Sequence, residues 1–189
     1  MVNYSYIVLA YLALMTLSFI DNGRSAVFPE LVEQFKINMD QGSYVFTLAS
    51  LSSLVFNITV KKWLPFLGLI LGTRLSLLFL GLGSIGIWWS SKLGDYTLTL
   101  ISSTILGAGL GMLAVTMNIM VSEGSDVRLR RRFLSGLHGV YGVCSFLAPQ
   151  LLAVVLMMNL NWDSYFAITS LIALVIIIFS FFVHDQHKE

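Results

Sequence analysis

Apolar residues dominate six long stretches of this chain, parted by short polar interruptions. A helix needs about 20 mainly apolar residues to cross the hydrocarbon core of a bilayer. Six stretches meet or approach that length, at about 4–28, 41–63, 66–90, 96–122, 133–158 and 165–183. Gln41–Val60 and Tyr96–Ser122 hold no charge, and the fifth stretch has only His138, Tyr141 and Cys144 as ionisable groups. The pattern predicts an all-α fold: a polytopic membrane protein whose six transmembrane helices form a single domain. Connections are too short to hold an inserted soluble domain.

The first stretch departs from the pattern. Within Leu12–Phe35 the apolar run meets Asp21, Asn22 and Arg24 before any membrane exit. Ionisable groups at membrane depth are costly and face a bundle interior or a watery cavity. Asp21 and Arg24 are three apart, which on a helix puts them within pairing distance. The pair reads either as a proton- or substrate-binding device or as a structural ion pair. Arg24→Ala is expected to harm folding more than Asp21→Asn, because it strips Asp21 of its partner. Pro29 kinks or ends the helix, and Glu30, Glu33 and Lys36 lead out into water.

Between the second and third stretches the boundary has two readings. A span ending at Val60 leaves Lys61 and Lys62 at the interface and Arg74 inside the next span. A span continuing to about Leu67 draws the lysines into the bundle and brings Arg74 toward the face. Pro65, Gly68 and Gly72 permit a turn anywhere here. In the second case Arg74 and Glu123 lie near neighbouring span ends and are candidates for a gating ion pair. Gly68/Gly72, Gly107/Gly111 and Ser135/Gly139 have the spacing that lets helix backbones approach closely.

Composition agrees with a membrane protein: 57% of residues are hydrophobic and 11% charged, against about 25% charged in soluble domains. A net charge of +1 argues against a nucleic-acid partner. The lone Cys144 allows neither an intramolecular disulfide nor a cysteine-based metal cluster. The first stretch lacks a basic leader and a small-residue cleavage site, so it is expected to remain as a span. With both termini cytoplasmic, the inside holds Lys61, Lys62, Arg128, Arg130, Arg131, Arg132 and Lys188, and the outside only Lys36 and Lys92. That bias sets the orientation. Trp63, Trp88, Trp89 and Trp162 fall at span ends, as an aromatic belt requires. No nucleotide loop, nucleophile triad or zinc-protease motif is present, so neither an enzyme nor a cofactor is indicated. His184 and His187 read as solvated tail residues rather than metal ligands.

In order and spacing the chain resembles the N-terminal half of a major facilitator superfamily transporter. Phe28-Pro29-Glu30-Leu31 is similar to the outer end of that family's first helix, and Gly107–Asn118 to its glycine-rich fourth helix. Arg130–Pro149 is similar to the fifth helix of the fucose/proton symporter branch. Two features depart from the family: Val60–Arg74 lacks the usual Asp and paired arginines, and Ala114 stands where that branch carries an acid. The resemblance implies a half-size secondary transporter of a small polar solute, sugar-like or an organic ion, with proton coupling, in a bacterial inner membrane. Its polar site would draw on Asp21, Asn22, Arg24, Asn57, Asn118, His138, Tyr141 and Gln150. His138 is an alternative proton carrier, since histidine titrates near physiological pH. Asn57 and Asn118 could equally be interhelical glue. A lone half would turn Asp21, Arg24, His138 and Gln150 toward lipid, and central charges there cost about 2.5–3.5 kcal/mol each. A second copy in parallel, or a second half-transporter, would cover them. The departures speak for a rival reading, a non-transporting scaffold subunit of a larger complex; a third reading is one half of a split or truncated transporter.

Overall fold

The computed structural model describes residues 2–183, so His184, His187 and Lys188 lie outside the described residues. Within them the chain forms seven helices: α1 (Tyr4–Ala26), α2 (Phe28–Phe35), α3 (Met39–Ile58), α4 (Val60–Leu93), α5 (Tyr96–Gly124), α6 (Arg130–Met157) and α7 (Ser164–Ser180). α1 and α5 make the centre. α5 packs on α3 and α4, α1 packs on α6 and α7, and the two central helices meet each other.

The first apolar stretch breaks where the sequence suggests, but the chain stays helical beyond the break. Val27 interrupts the helix, and Pro29 falls in the opening turn of α2, where its missing N–H is harmless. Glu30 and Glu33 therefore lie on a helix, which ends at Lys36 in the left-handed region with φ 51°. α3 starts two residues earlier than expected, because Asn38 and Gln41 close a reciprocal capping box with bonds of 2.7 and 3.1 Å.

Neither reading of the next boundary survives whole. α3 stops at Ile58, and a new helix begins at Val60. Gly68 then breaks α4 with φ 71° and ψ 173°, a conformation open essentially to glycine alone. Lys61 and Lys62 sit exposed on the short piece before that break and are not drawn into the bundle. Arg74 belongs to the long piece after it. Its Nε donates to Ser180 Oγ at 2.9 Å, its Nη2 to Ser180 O at 2.8 Å, and its Cζ lies 4.1 Å from the Phe181 ring centroid. These groups fasten α4 to the end of α7, so they are not aimed at the expected gate with Glu123.

α1, α4, α5 and α6 are long and apolar enough to cross a membrane. α3 has the length, but Asp40, Gln41 and Asn57 make it more polar; α7 is apolar and shorter, at 17 residues. The small-residue pairs divide. A Cβ on Gly107 would overlap the backbone of Ala49, and one on Gly111 the backbone of Ser53, so that pair does hold α5 against α3. Gly68 serves as a break instead, and a Cβ on Gly139 would meet nothing within 4 Å. At the end of the bundle formed by α2, the α4 C-terminus and the start of α7, Asp163 is 2% exposed and ties these elements together. It accepts from Ser91 Oγ at 2.8 Å and pairs with Lys92 Nζ at 2.8 Å, while Gln34 bonds both Ser91 and Trp162. Trp162 is thus buried at a span end rather than turned outward as a belt residue.

Candidate functional site

Four helices line an open cavity of about 550 Å³. α1 contributes Leu14, Leu17, Asp21 and Arg24; α3 contributes Ser50, Ser53, Leu54 and Asn57; α5 contributes Leu110, Ala114 and Met117; α6 contributes His138 and Tyr141. Each set recurs at three- and four-residue steps, so each is one stripe of its helix. The size lies within the range of about 300–1,000 Å³ usual for small-molecule sites.

Polar groups are unevenly spread over this lining. α1 and α6 carry every charged or titratable group, α3 carries hydroxyls and an amide, and α5 is apolar. Arg24 donates through Nη2 to Asp21 Oδ1, and the Tyr141 hydroxyl donates to Asp21 Oδ2 at 3.4 Å. The expected ion pair is therefore formed, but its partners differ in burial: Arg24 is 7% exposed and Asp21 33%. Arg24 Nε and Nη1 are buried without a hydrogen-bond partner. The guanidinium lies over Phe46, with Cζ 5.5 Å from the ring centroid, which offsets part of its desolvation. This asymmetry reverses the expected ranking of the variants. Removing Asp21 strands the deeply buried cation, whereas removing Arg24 leaves a carboxylate with partial access to water.

Of the residues singled out in the sequence, Asp21, Arg24, Asn57, His138 and Tyr141 line the cavity together. Asn22 instead faces the α1–α6 seam, donating to Ser18 O at 2.8 Å and to Ser145 Oγ at 2.9 Å. Asn118 turns back on its own helix, donating to Ala114 O at 2.7 Å. Gln150 is exposed on α6, outside the lining. Ser50 and Ser53 are the polar residues that sequence reasoning missed. Their signal was the spacing to Asn57, which puts all three on one face of an otherwise charge-free stretch. Among the described residues no three His, Cys, Asp or Glu side chains gather as metal ligands would.

The family model described as Major Facilitator Superfamily matches residues 3–189. No curated protein matches the chain in sequence. In structure it is similar to the proton:xylose symporter XylE bound to 6-bromo-6-deoxy-D-glucose, with a TM-score of 0.86 and 13% identity over 97% of this chain and 45% of that one. It is also similar to a D-xylose-proton symporter, with a TM-score of 0.83 and 12% identity over 98% of this chain and 49% of that one. The chain thus spans a little under half the length of these solved structures.

Proposed function

The chain belongs to the Major Facilitator Superfamily, and from that membership we propose that it is a six-helix half-transporter moving a small polar solute with protons. In this reading α1 with α2, α3, the long piece of α4, α5, α6 and α7 are the six spans, and the basic bias of the loops supports both termini on the cytoplasmic side. The observation that carries the proposal is the cavity itself. An ion pair of a buried arginine and a half-buried aspartate, hydroxyls and an amide converge on a space of about 550 Å³ in an otherwise apolar bundle. Such a set is costly to keep unless a polar ligand uses it. Asp21 is the proton carrier, because it is the acid of the lining and keeps a third of its exposure.

The flanks of the cavity support pairing with a second half. Leu51, Leu54 and Val55 on α3, and Val143 and Phe146 on α6, are more than half exposed. In transporters built of two halves related along the membrane normal, the solute site lies between them. A parallel second copy of this chain supplies that other half.

Liposomes holding the purified chain test the proposal directly. Labelled D-xylose and a set of small organic ions are offered with and without an inward proton gradient. Gradient-dependent accumulation of a solute is the expected result. Tightly sealed vesicles that accumulate none of them, although the protein is folded and paired, would instead support the scaffold reading.

A further inference from the structure

A second hollow shares no residue with the polar cavity. It is a groove of about 140 Å³ that follows α4 from Leu78 to Ile85 and α7 from Ser170 to Ile177. Two small residues make it: a Cβ on Gly81 would lie 3.9 Å from the Ser170 backbone and hydroxyl oxygens. Leu78, Leu82 and Leu174 stand exposed around that shallow floor. The lining carries no charge, and the Ser170 hydroxyl is its one polar side chain. Seven residues of α4 at about 1.5 Å each give it a length of about 10 Å.

Arg74 lies one helical turn beyond the Leu78 end, and Ser180 one turn beyond Ile177. The side chain of Arg74 is half-buried, and its bonds to Ser180 use Nε and Nη2 but not Nη1. Unlike the stranded nitrogens of Arg24, Nη1 keeps accessible surface. Ser180 and the Phe181 ring are neutral, and among the described residues no carboxylate pairs with Arg74. A cation thus caps an apolar groove with its charge uncompensated, which is costly near membrane depth. We propose that the α4–α7 seam binds one anionic phospholipid, an acyl chain in the groove and its phosphodiester on Arg74.

Charge and shape select this occupant together. Basic pockets between membrane helices hold anionic headgroups, and a guanidinium suits a phosphodiester in particular. A zwitterionic headgroup brings its own cation to the same place and gains less. A polar solute finds one hydroxyl in the groove, whereas a hydrocarbon chain finds leucine and isoleucine along its whole length. Lys61, Lys62 and the arginines of the Arg128–Arg132 stretch are exposed, and none of them lines this groove. In the orientation proposed above, the Arg74 end faces the cytoplasmic leaflet.

The test titrates the purified full-length chain, in mild detergent, with dioctanoyl phosphatidylglycerol, dioctanoyl phosphatidylcholine or inorganic phosphate. Native mass spectrometry counts bound lipid, and thermal unfolding reads its effect. The parent should hold one phosphatidylglycerol about fivefold or more tighter than phosphatidylcholine, while phosphate leaves the melting unchanged. Arg74→Gln should bring the two lipids to about equal affinity. Should that variant fold poorly, Arg74→Lys keeps the charge and should retain most of the preference. Gly81→Leu fills the groove with Arg74 intact, and should weaken both lipids alike, about fivefold or more. Changing Lys61 and Lys62 together to glutamine should leave the preference in place. Equal binding of the two lipids by the parent overturns the proposal, as does a preference that disappears with the lysines and survives in Arg74→Gln. Full affinity in Gly81→Leu, or stabilisation by phosphate that matches phosphatidylglycerol, overturns it too. No arm of the experiment involves solute movement, so the transport proposal stands or falls separately.

Discussion

At the scale of single residues, the unequal burial of Asp21 and Arg24 sets the order of damage. Arg24→Met replaces the buried cation with an apolar chain of similar length, a kind of exchange that is often neutral or stabilising. Asp21→Ala leaves the cation unpaired and is expected to cost about 2 kcal/mol, below the 3–5 kcal/mol of a fully buried pair because Asp21 is partly solvated. Melting of the two variants in mild detergent checks this: Arg24→Met should unfold at the higher temperature, and the opposite order would contradict the burial. For transport, Asp21→Asn should lose the pH dependence of uptake. The three-residue spacing of the pair was legible in the sequence. Which partner is more deeply buried was not, because that depends on Phe46 of α3 closing over the guanidinium. For the same reason Asn22 looked like a cavity residue until Ser145 of α6 was placed against it.

At the scale of helices, what opposes a small residue matters more than its spacing. Gly107 and Gly111 press on the α3 backbone, so either alanine variant must push two helices apart, at a cost of about 1–3 kcal/mol. Gly139→Ala, with nothing near its Cβ, should melt within about 0.5 kcal/mol of the parent. Equal losses at the three positions would mean the α3–α5 contact is not as close as described. The sequence offered three small-residue pairs with no means of ranking them, since spacing is a property of one helix and contact a property of two. Pro65, Gly68 and Gly72 were legible as places for a turn, but not the choice of Gly68, because hydropathy carries no information about a positive φ. At the opposite end of the bundle, Asp163→Ala removes the acceptor shared by Ser91 and Lys92 and leaves Ser91 short of one partner. A loss of about 1–3 kcal/mol is expected. Proteolysis of the link between α6 and α7 should quicken with it, and an unchanged cleavage rate would show that the clasp does not hold α7.

For the whole molecule, the all-helical fold was legible because bilayer thickness imposes span length, and the family because the order and spacing of its helix motifs are written along the chain. The division of polar residues between the cavity and the helix seams was not, since it requires the helices to be placed around one another. Pairing of two copies belongs to this scale. Cysteines at Leu54 and Phe146, in a chain whose buried Cys144 has been replaced by alanine, should crosslink between copies in native membranes. Crosslinks absent at both positions, together with a monomeric mass, would exclude the parallel pair. A final consequence concerns the two walls of the cavity. The wall between α1 and α6 is latched by Tyr11 on Phe133 O, Ser18 on Tyr141 O and Asn22 on Ser145. Across α3 and α5 the Tyr96 hydroxyl reaches Gln41 O near one end, and further along Gly107 and Gly111 offer bare backbone with no side chain to interlock. At the far end Trp63 Nε1 donates to Phe56 O at 2.9 Å, so α3 is fastened at both ends, like a plank on two trestles, with its middle laid against bare α5 backbone.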